Sequence, residues 1–522
     1  DKMSNIAKTT IGLMFLTLIS KVLGFFRELC LGSVYGASAF TDAYIISQNI
    51  PIVIFTSVAM ALGTSYIPLF CDIREKSGDK EAIKFSNNLI NIVVIFCSLL
   101  AIVCMIFTEP IVKIFAMGFE GETLKLAVEF TRILIIGIIF IGVNDVLMPF
   151  LQINQNYAVP GMLGIPYNIV IIISIFASPK FGYNVLIYGT LLAILSKVLF
   201  QIPFAKKKGY KYKAYVNVKD KNIKKLLLLV APVFVGVAVN QVNGLVDKTL
   251  ASTLVEGSIS ALNYANKLNE FVMGIFIVSI TSVIYPLLSK LSAANNKEEF
   301  NNSIVKSINY VILLVIPISI GAMVLSTPIV KLLFERGAFD LRATQMTSSA
   351  LFCYSIGIIG FGLRDILSRV FYSIQDTKTP MINGAIAMAL NIVLNLILIK
   401  YIGHAGLALA TSISALVCIV LLFRSLRKKI GNFGEEKIAV VFIKTLISGV
   451  VMGIVTTIFY DFISNIVRGG MISQIVSLST SVLVGVTVYF IGVVILKIDE
   501  VNQAISIIKD KFTTKRGGYS AK

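Results

Sequence analysis

The chain has 522 residues, of which 56% are hydrophobic and only 14% charged, with no tryptophan. A soluble domain carries about 25% charged residues, so this balance excludes an ordinary globular protein and points to a membrane protein. The formal charge of +19 invites a nucleic-acid reading, which fails once the cations are placed along the chain.

Runs of about 20 residues with few charges recur from end to end, Ile90–Phe107, Ile382–Ile399 and Ile475–Leu496 being clear cases. Each is long enough to cross a hydrocarbon core of about 30 Å as a helix. They are apolar all round, where a β-barrel would alternate. Lys2 and Lys8 lead into the first run without a small-residue cleavage pattern, so no cleavable signal is expected. Hydropathy predicts about fourteen spans, near 10–32, 42–70, 86–108, 127–151, 158–178, 183–205, 225–252, 260–288, 304–326, 346–372, 380–400, 404–425, 438–460 and 472–496. Lysine and arginine crowd alternate loops: Lys206, Lys207, Lys208, Lys211, Lys213 and Lys219 in one, Arg424, Arg427, Lys428 and Lys429 in another. The loop at 33–41 has no charge and that at 253–259 only Glu256. About 30 cations fall on one side and about 7 on the other, which predicts both termini in the cytoplasm. The basic charge therefore reads as topology, with no nucleic-acid partner expected. The basic stretches at 206–225 and 497–522 suit contact with anionic membrane lipids.

Shifted by roughly 220 residues, the chain matches itself. Pro110-Ile111-Val112-Lys113 recurs as Pro328-Ile329-Val330-Lys331, Asn144-Asp145 falls on Arg364-Asp365, and Gln155 and Pro160 fall on Gln375 and Pro380. Asp42-Ala43-Tyr44 followed by Ile67-Pro68-Leu69 echoes Asn263-Tyr264 followed by Tyr285-Pro286-Leu287. Six spans per copy is an even number, so both copies enter from the same side and their pseudo-two-fold axis is expected along the membrane normal. The expected fold is thus an all-α polytopic membrane protein. It comprises an N-terminal six-helix half (1–205), a basic cytoplasmic linker (206–225) and a second six-helix half (226–425). Two extra helices (426–496) and a basic cytoplasmic tail (497–522) complete it.

An ionised side chain near a bilayer centre costs at least ~2.5 to 3.5 kcal/mol and needs a partner, water or a purpose. The first span carries Lys21, Arg27 and Glu28, spaced so that all three share one broad helix face. Span two opens with Asp42, span seven carries Asp247 and Lys248, span eight Lys267 and Glu270, and span ten Arg364, Asp365 and Arg369. If spans one and eight line the seam between the halves, Lys21, Arg27 and Lys267 form a cationic floor in a wet cavity. Such a floor attracts an anionic headgroup, and pyrophosphate is the membrane-borne candidate. The alternative is mutual neutralisation, Arg27 with Glu28 or Asp42 and Lys267 with Glu270, as ion pairs locking helices together. Gly24, Gly63, Pro68, Gly274 and Pro286 interrupt the same spans and either let them bend or let helices pack closely.

Asn391 and Asn395, four apart, share a face of span eleven, and Thr411 lies in span twelve. With Asp247 they offer oxygen ligands to a hard cation such as sodium, or act as interhelical hydrogen-bonding glue. The six cysteines are scattered without CxxC spacing and read as small buried hydrophobes, and a single histidine, His404, builds no metal site. There is no P-loop, no HExxH and no nucleophile–base–acid set, so no enzyme is expected.

At these residues the chain resembles the MurJ (MviN-type) family, lipid II flippases of the multidrug/oligosaccharidyl-lipid/polysaccharide exporter superfamily. Ser20-Lys21-Val22-Leu23-Gly24-Phe25-Phe26-Arg27-Glu28 is close to its S-R-V-L-G-F-x-R-D, and Thr41-Asp42-Ala43-Tyr44 to T-D-A-F. Tyr264-Ala265-Asn266-Lys267-Leu268-Asn269-Glu270 is close to Y-A-D-R-L-x-E, and 371–380 to F-Y-S-x-Q-D-x-K-T-P; His404-Ala405-Gly406-Leu407 also matches. The resemblance implies fourteen spans and a cationic cavity at Lys21, Arg27 and Lys267, with Glu28, Asp42 and Glu270 as its acidic positions. It also implies a polyprenyl-tail groove from spans thirteen and fourteen and, in some members, sodium at the positions of Asp247, Asn391, Asn395 and Thr411. Two of the family's cavity arginines are lysines here, which keep charge but lose the planar fork. Ile54-Phe55-Thr56 stands where an arginine follows the Pro51 position.

The expected function is alternating-access transfer of lipid II, the undecaprenyl-pyrophosphate-linked sugar-peptide, from the cytoplasmic to the outer leaflet. The setting is the bacterial inner membrane, with a monomer that meets the cell-wall synthesis machinery. Arg364, Asp365 and Arg369 are secondary cavity candidates. The rival readings are a flippase for O-antigen or capsule units and a drug/cation antiporter, the latter disfavoured by the basic cavity.

Overall fold

The computed structural model describes residues 2–517, excluding the side chains at 2–11, 57, 60, 61, 64, 232–240, 278, 279, 281–287, 289 and 510–517. Among those residues every regular element is a helix. In order they are α1 (Lys2–Tyr35), α2 (Ala39–Ser77), α3 (Asp79–Ile106), α4 (Thr108–Phe115), α5 (Gly121–Leu134), α6 (Gly137–Ile153), α7 (Ala158–Met162), α8 (Gly164–Phe181), α9 (Asn184–Lys207) and α10 (Lys221–Ala251). There follow α11 (Ser258–Ala293), α12 (Lys297–Val324), α13 (Ser326–Phe334), α14 (Leu341–Ile356), α15 (Ile358–Ser373), α16 (Lys378–Ile402), α17 (His404–Ile430), α18 (Glu435–Ile466), α19 (Gly470–Ile495) and α20 (Asp499–Gly517).

Helices prevail because a bilayer offers no water to satisfy backbone N–H and C=O groups, which a helix satisfies internally. Eight helices are long and apolar enough to cross a membrane, or ten if the bent pairs α5–α6 and α14–α15 each make one span. The long helices α1, α2, α10 and α11 contain undescribed side chains and stand outside that count, which therefore leaves the expected fourteen unsettled. Large apolar side chains remain exposed on the long helices, Leu99 and Ile106 of α3 and Ile472 and Leu483 of α19 among them. This is a multi-pass membrane protein.

The duplication is visible element by element. Helices α3 and α12 each have 28 residues and are followed by the short α4 and α13. The pairs α5–α6 and α14–α15 are bent by 44° and 41°. After each pair the chain turns through a left-handed residue, Gln155 (φ 64) and Gln375 (φ 61), 220 positions apart. The next residue's N–H closes both turns, Asn156 onto Leu151 O and Asp376 onto Phe371 O, at 2.9 Å each. Asn156 and Asp376 then accept from the N–H three residues on, at 3.2 and 3.0 Å. Thus the matched Gln155 and Gln375 mark a matched turn.

By compactness the chain divides into Asp1–Ala261 with Arg336–Ala343, and Leu262–Glu335 with Thr344–Lys522. In the first unit α2 is central, against α3, α5, α6 and α10, while α1 lies on α8 and α8 on α9. Its core holds Tyr44, Phe55, Tyr66, Phe130 and Phe150, and the buried phenols of Tyr44 and Tyr66 meet Thr190 and Ser86 at 2.7 and 2.6 Å. Helix α10, counted with the second repeat by sequence, packs along α2 here. Gly189 lets α9 approach α8, since a Cβ there would lie 1.8 Å from Ser174 Oγ. Close packing of this kind replaces the hydrophobic effect inside lipid.

Two further segments complete the first unit. The 336–343 segment seats on the end of α1: Ala338 N–H donates to Ser33 O at 2.8 Å. Gly337 has φ +57, and a Cβ on it would come within 2.2 Å of that same oxygen. The basic strap between α9 and α10 is held by α3. Asn87 donates to Lys211 O at 2.8 Å, Asn88 to Asn217 O at 2.9 Å, and Asn91 to Lys213 O and Tyr215 O at 3.1 and 3.0 Å. Tyr210 and Tyr212 donate back to Asn87 and Asn91, each at 2.6 Å.

In the second unit α12 packs on α15 and α18, α16 on α17, and α18 on α19. Ile308, Val311, Ile312 and Val315 of α12 join Ile366, Leu367 and Phe371 of α15 in the core. Helix α20 is anchored where Asn309 donates to buried Glu500 at 2.6 Å. Helices α1, α2 and α11 run unbroken through Gly24, Gly63, Pro68 and Gly274, and the breaks fall instead at 135–136 and Gly357. The side chain of Pro286 lies outside the described residues. All six cysteines are free, five of them buried.

Candidate functional site

The motif at residues 20–28 lies on α1 where it packs against α8. Arg27 Nη1 donates to Asn168 Oδ1 at 2.9 Å, and Nη2 to Glu28 Oε1 at 3.0 Å. The Arg27 side chain is 16% exposed and that of Glu28 only 7%, so both ions sit inside protein and stabilise each other's charge. The guanidinium lies 5.5 Å from the Tyr167 ring centroid, and Lys197 Nζ lies 4.4 Å from the same ring. The electron-rich ring tolerates both cations. Gln48 Nε2 fixes the Tyr167 hydroxyl at 3.0 Å. Asn168 Nδ2 also reaches Ser20 O at 3.3 Å, and Ser20 Oγ reaches Gly161 O at 3.1 Å. Gly24 leaves room for Asn168, 3.6 Å from where its Cβ would be. Lys21 is exposed on the same helix.

Asp42 is placed elsewhere. Its Oδ2 accepts from Gly257 N at 2.7 Å, and its Oδ1 from Ser260 N and Oγ at 2.8 and 2.5 Å. The carboxylate thus binds the first turn of α11, where amide groups and the helix dipole favour a negative charge, rather than a cation. Asp247 is half-buried on α10. A further polar set joins Gln201 to Asn144 at 2.7 Å and Asn144 to Asp145 at 3.2 Å.

In the second unit Lys267 Nζ lies 3.1 Å from Glu270 Oε2, with side chains 39% and 56% exposed. Asn266 donates to the other Glu270 oxygen at 2.8 Å. Arg369 and Asp365 pair at 3.5 Å, and Arg364 is exposed. Asn391 and Asn395 are buried on one face of α16. Thr411, on the adjoining α17, donates to Leu407 O at 3.1 Å and keeps its lone pairs. These oxygens suit a hard cation. No cluster of three His, Cys, Asp or Glu exists among the described residues.

Sequence reasoning had singled out Arg27 and Glu28 but not Gln48, Tyr167, Asn168 or Lys197, which complete their surroundings. Only Lys197 left a signal, a cation in the otherwise apolar 183–205 run.

Apolar helices arranged as a duplicated set, with ions enclosed among them, define a polytopic membrane protein of transporter architecture. A family model described as lipid II flippase MurJ matches residues 31–477. The probable lipid II flippase MurJ of Buchnera aphidicola subsp. Schizaphis graminum is 30% identical over 515 residues, covering 97% of this chain and 100% of that relative. The probable lipid II flippase MurJ of Haemophilus influenzae is 30% identical over 462 residues, covering 84% and 89%. Among solved structures, a lipid II flippase MurJ in an inward closed conformation superposes with a TM-score of 0.80 at 29% identity, over 93% of this chain and 98% of that one. An inward-facing multidrug resistance MATE transporter gives 0.64 at 16% identity, over 81% and 99%, and so shares the fold alone. The chain belongs to the lipid II flippase MurJ family.

Proposed function

We propose that this protein carries lipid II from the cytoplasmic to the outer leaflet by alternating access, making and breaking no covalent bond. The family match over residues 31–477 carries the reading. The enclosed Arg27, held by Glu28 and Asn168, supports it as a fixed cation inside apolar helices. In this reading Arg27, Lys21 and Lys267 attract the pyrophosphate, and Glu28 and Glu270 hold Arg27 and Lys267 when no substrate is present.

Both termini lie in the cytoplasm of a bacterial inner membrane, as the cation bias requires. The protein acts as a monomer beside the cell-wall synthases. Asp247, Asn391, Asn395 and Thr411 would hold a sodium ion, whose chemistry would be charge compensation during the cycle. A rescue experiment in a strain depleted of its own lipid II flippase tests the assignment. Growth with restored lipid II exposure at the outer leaflet is expected. A well-expressed, membrane-inserted protein that rescues nothing would refute it.

A further inference from the structure

A pocket of about 620 Å³ opens along α17 and α18 in the second unit, floored by Ile312 of α12 and Leu363 of α15. Phe423, Ile438 and Phe442 line its length, and Arg424 and Arg427 stand at one end. No residue of α19 lines it, so it is separate from a groove between spans thirteen and fourteen. The volume falls within the ~300–1,000 Å³ of small-molecule sites. Arg427 pairs with Glu435 at 2.9 Å while 64% exposed. Among the described residues Arg424, which is exposed, has no ion-pair or hydrogen-bond partner, and exposed Lys428 follows one residue after Arg427.

An apolar slot ending in Arg424, Arg427 and Glu435, with one arginine charge in excess, at the side of the membrane that the cation bias makes cytoplasmic, has the chemistry of an anionic phospholipid site. We propose that an anionic phospholipid of the cytoplasmic leaflet occupies this pocket, its acyl chain along Phe423, Ile438 and Phe442 and its phosphate on Arg424 and Arg427. The guanidinium forks match a phosphate geometrically as lysine does not. The ligand here is a bulk lipid, and the site stands whichever lipid-linked molecule the protein transports.

The chain has no tryptophan, so Phe442→Trp gives a sole tryptophan, excited selectively over the tyrosines, in the pocket, and Phe490→Trp gives one on exposed α19. Each variant is reconstituted in bilayers carrying a minor fraction of brominated phosphatidylglycerol or brominated phosphatidylcholine. At Phe442→Trp the anionic lipid should be preferred about fivefold, equivalent to about 1 kcal/mol, with no preference at Phe490→Trp. Adding R424Q/R427Q should bring the ratio to one, and R424K/R427K, which keeps the charge but loses the fork, should retain a reduced preference above one, which separates charge loss from misfolding. Equal quenching by the two lipids at Phe442→Trp overturns the proposal. So does a preference that survives R424Q/R427Q, and so does displacement of phosphatidylglycerol by an equal amount of polyprenyl phosphate, which would give the pocket to the substrate's tail.

Discussion

The two copies of the duplicated design treat their ions in opposite ways. In the first unit Arg27 is held by Glu28, Asn168 and the Tyr167 ring, with its side chain almost withdrawn from solvent. In the second, Lys267 lies partly exposed on α11, touching a glutamate one turn along its own helix. The matched turns differ in the reverse sense. Asn156 closes the first with a single amide bond, while Asp376 binds Thr379 twice, at 3.0 and 2.6 Å, and Lys429 at 2.7 Å. The two copies keep a common backbone path at the matched turns while their charges differ, one holding an enclosed cation and the other a partly exposed one.

The contrast can be broken most severely at Arg27. Arg27→Ala removes two charge-assisted hydrogen bonds of about 1.5–3 kcal/mol each and should cut lipid II translocation roughly 100-fold, with insertion intact by membrane fractionation. Normal translocation by that variant would defeat the assignment of this arginine to substrate. Asn168→Ala leaves the charge but frees the guanidinium, and a loss of roughly tenfold is expected, matching one such bond. An unchanged rate would mean that orientation at Arg27 is irrelevant.

Lys267 should need only its charge. Lys267→Arg and Lys21→Arg are expected to stay active within about twofold and Lys267→Ala to fall several-fold, on the scale of about 1 kcal/mol for an exposed pair; two inactive arginine variants would instead demand compact ammonium groups. Next comes the second turn. Desolvation pushes the Asp376 carboxyl up, but hydrogen bonds from Lys429 and Thr379 outweigh it and hold it down at about 2. That lies below the unfolded value of about 3.9, so its stabilisation is present above about pH 4 and is lost as pH falls through about 2. The Tm gap between the parent protein and Asp376→Asn, in detergent, should be flat from about pH 5 to 8 and close on acidification; a gap that widens in acid would reverse the sign. Glu270→Gln should matter least, within about 0–1 kcal/mol of stability.

Much of this was legible in the residues. The Gln155 and Gln375 match predicted the duplication, and both sit at a backbone angle that ties the match to geometry. Arg27 and Glu28 were conspicuous as charges in an apolar run. Tyr167 and Asn168 were not, because a neutral polar residue in a span looks like any interhelical hydrogen bonder until its partner is known. Asp42 looked like a counter-ion because its charge was visible and the buried amides at the start of α11 were not. The seat of Arg336–Ala343 was not read either: it rests on the Ala338–Ser33 backbone bond, on Arg342 donating to the Glu256 carbonyl and on the missing Cβ of Gly337, and none of these residues announces its partner in the sequence.

The asparagines of α3 grip carbonyl and amide groups of the 209–220 strap and leave its lysines uninvolved in that grip. The strap therefore offers engineers a handle with an unusual tolerance. Side chains at 211, 213, 216 and 218 can be exchanged for dyes or tags without altering the route of the chain, whereas inserting even one residue would throw the three asparagines out of step with the groups they hold.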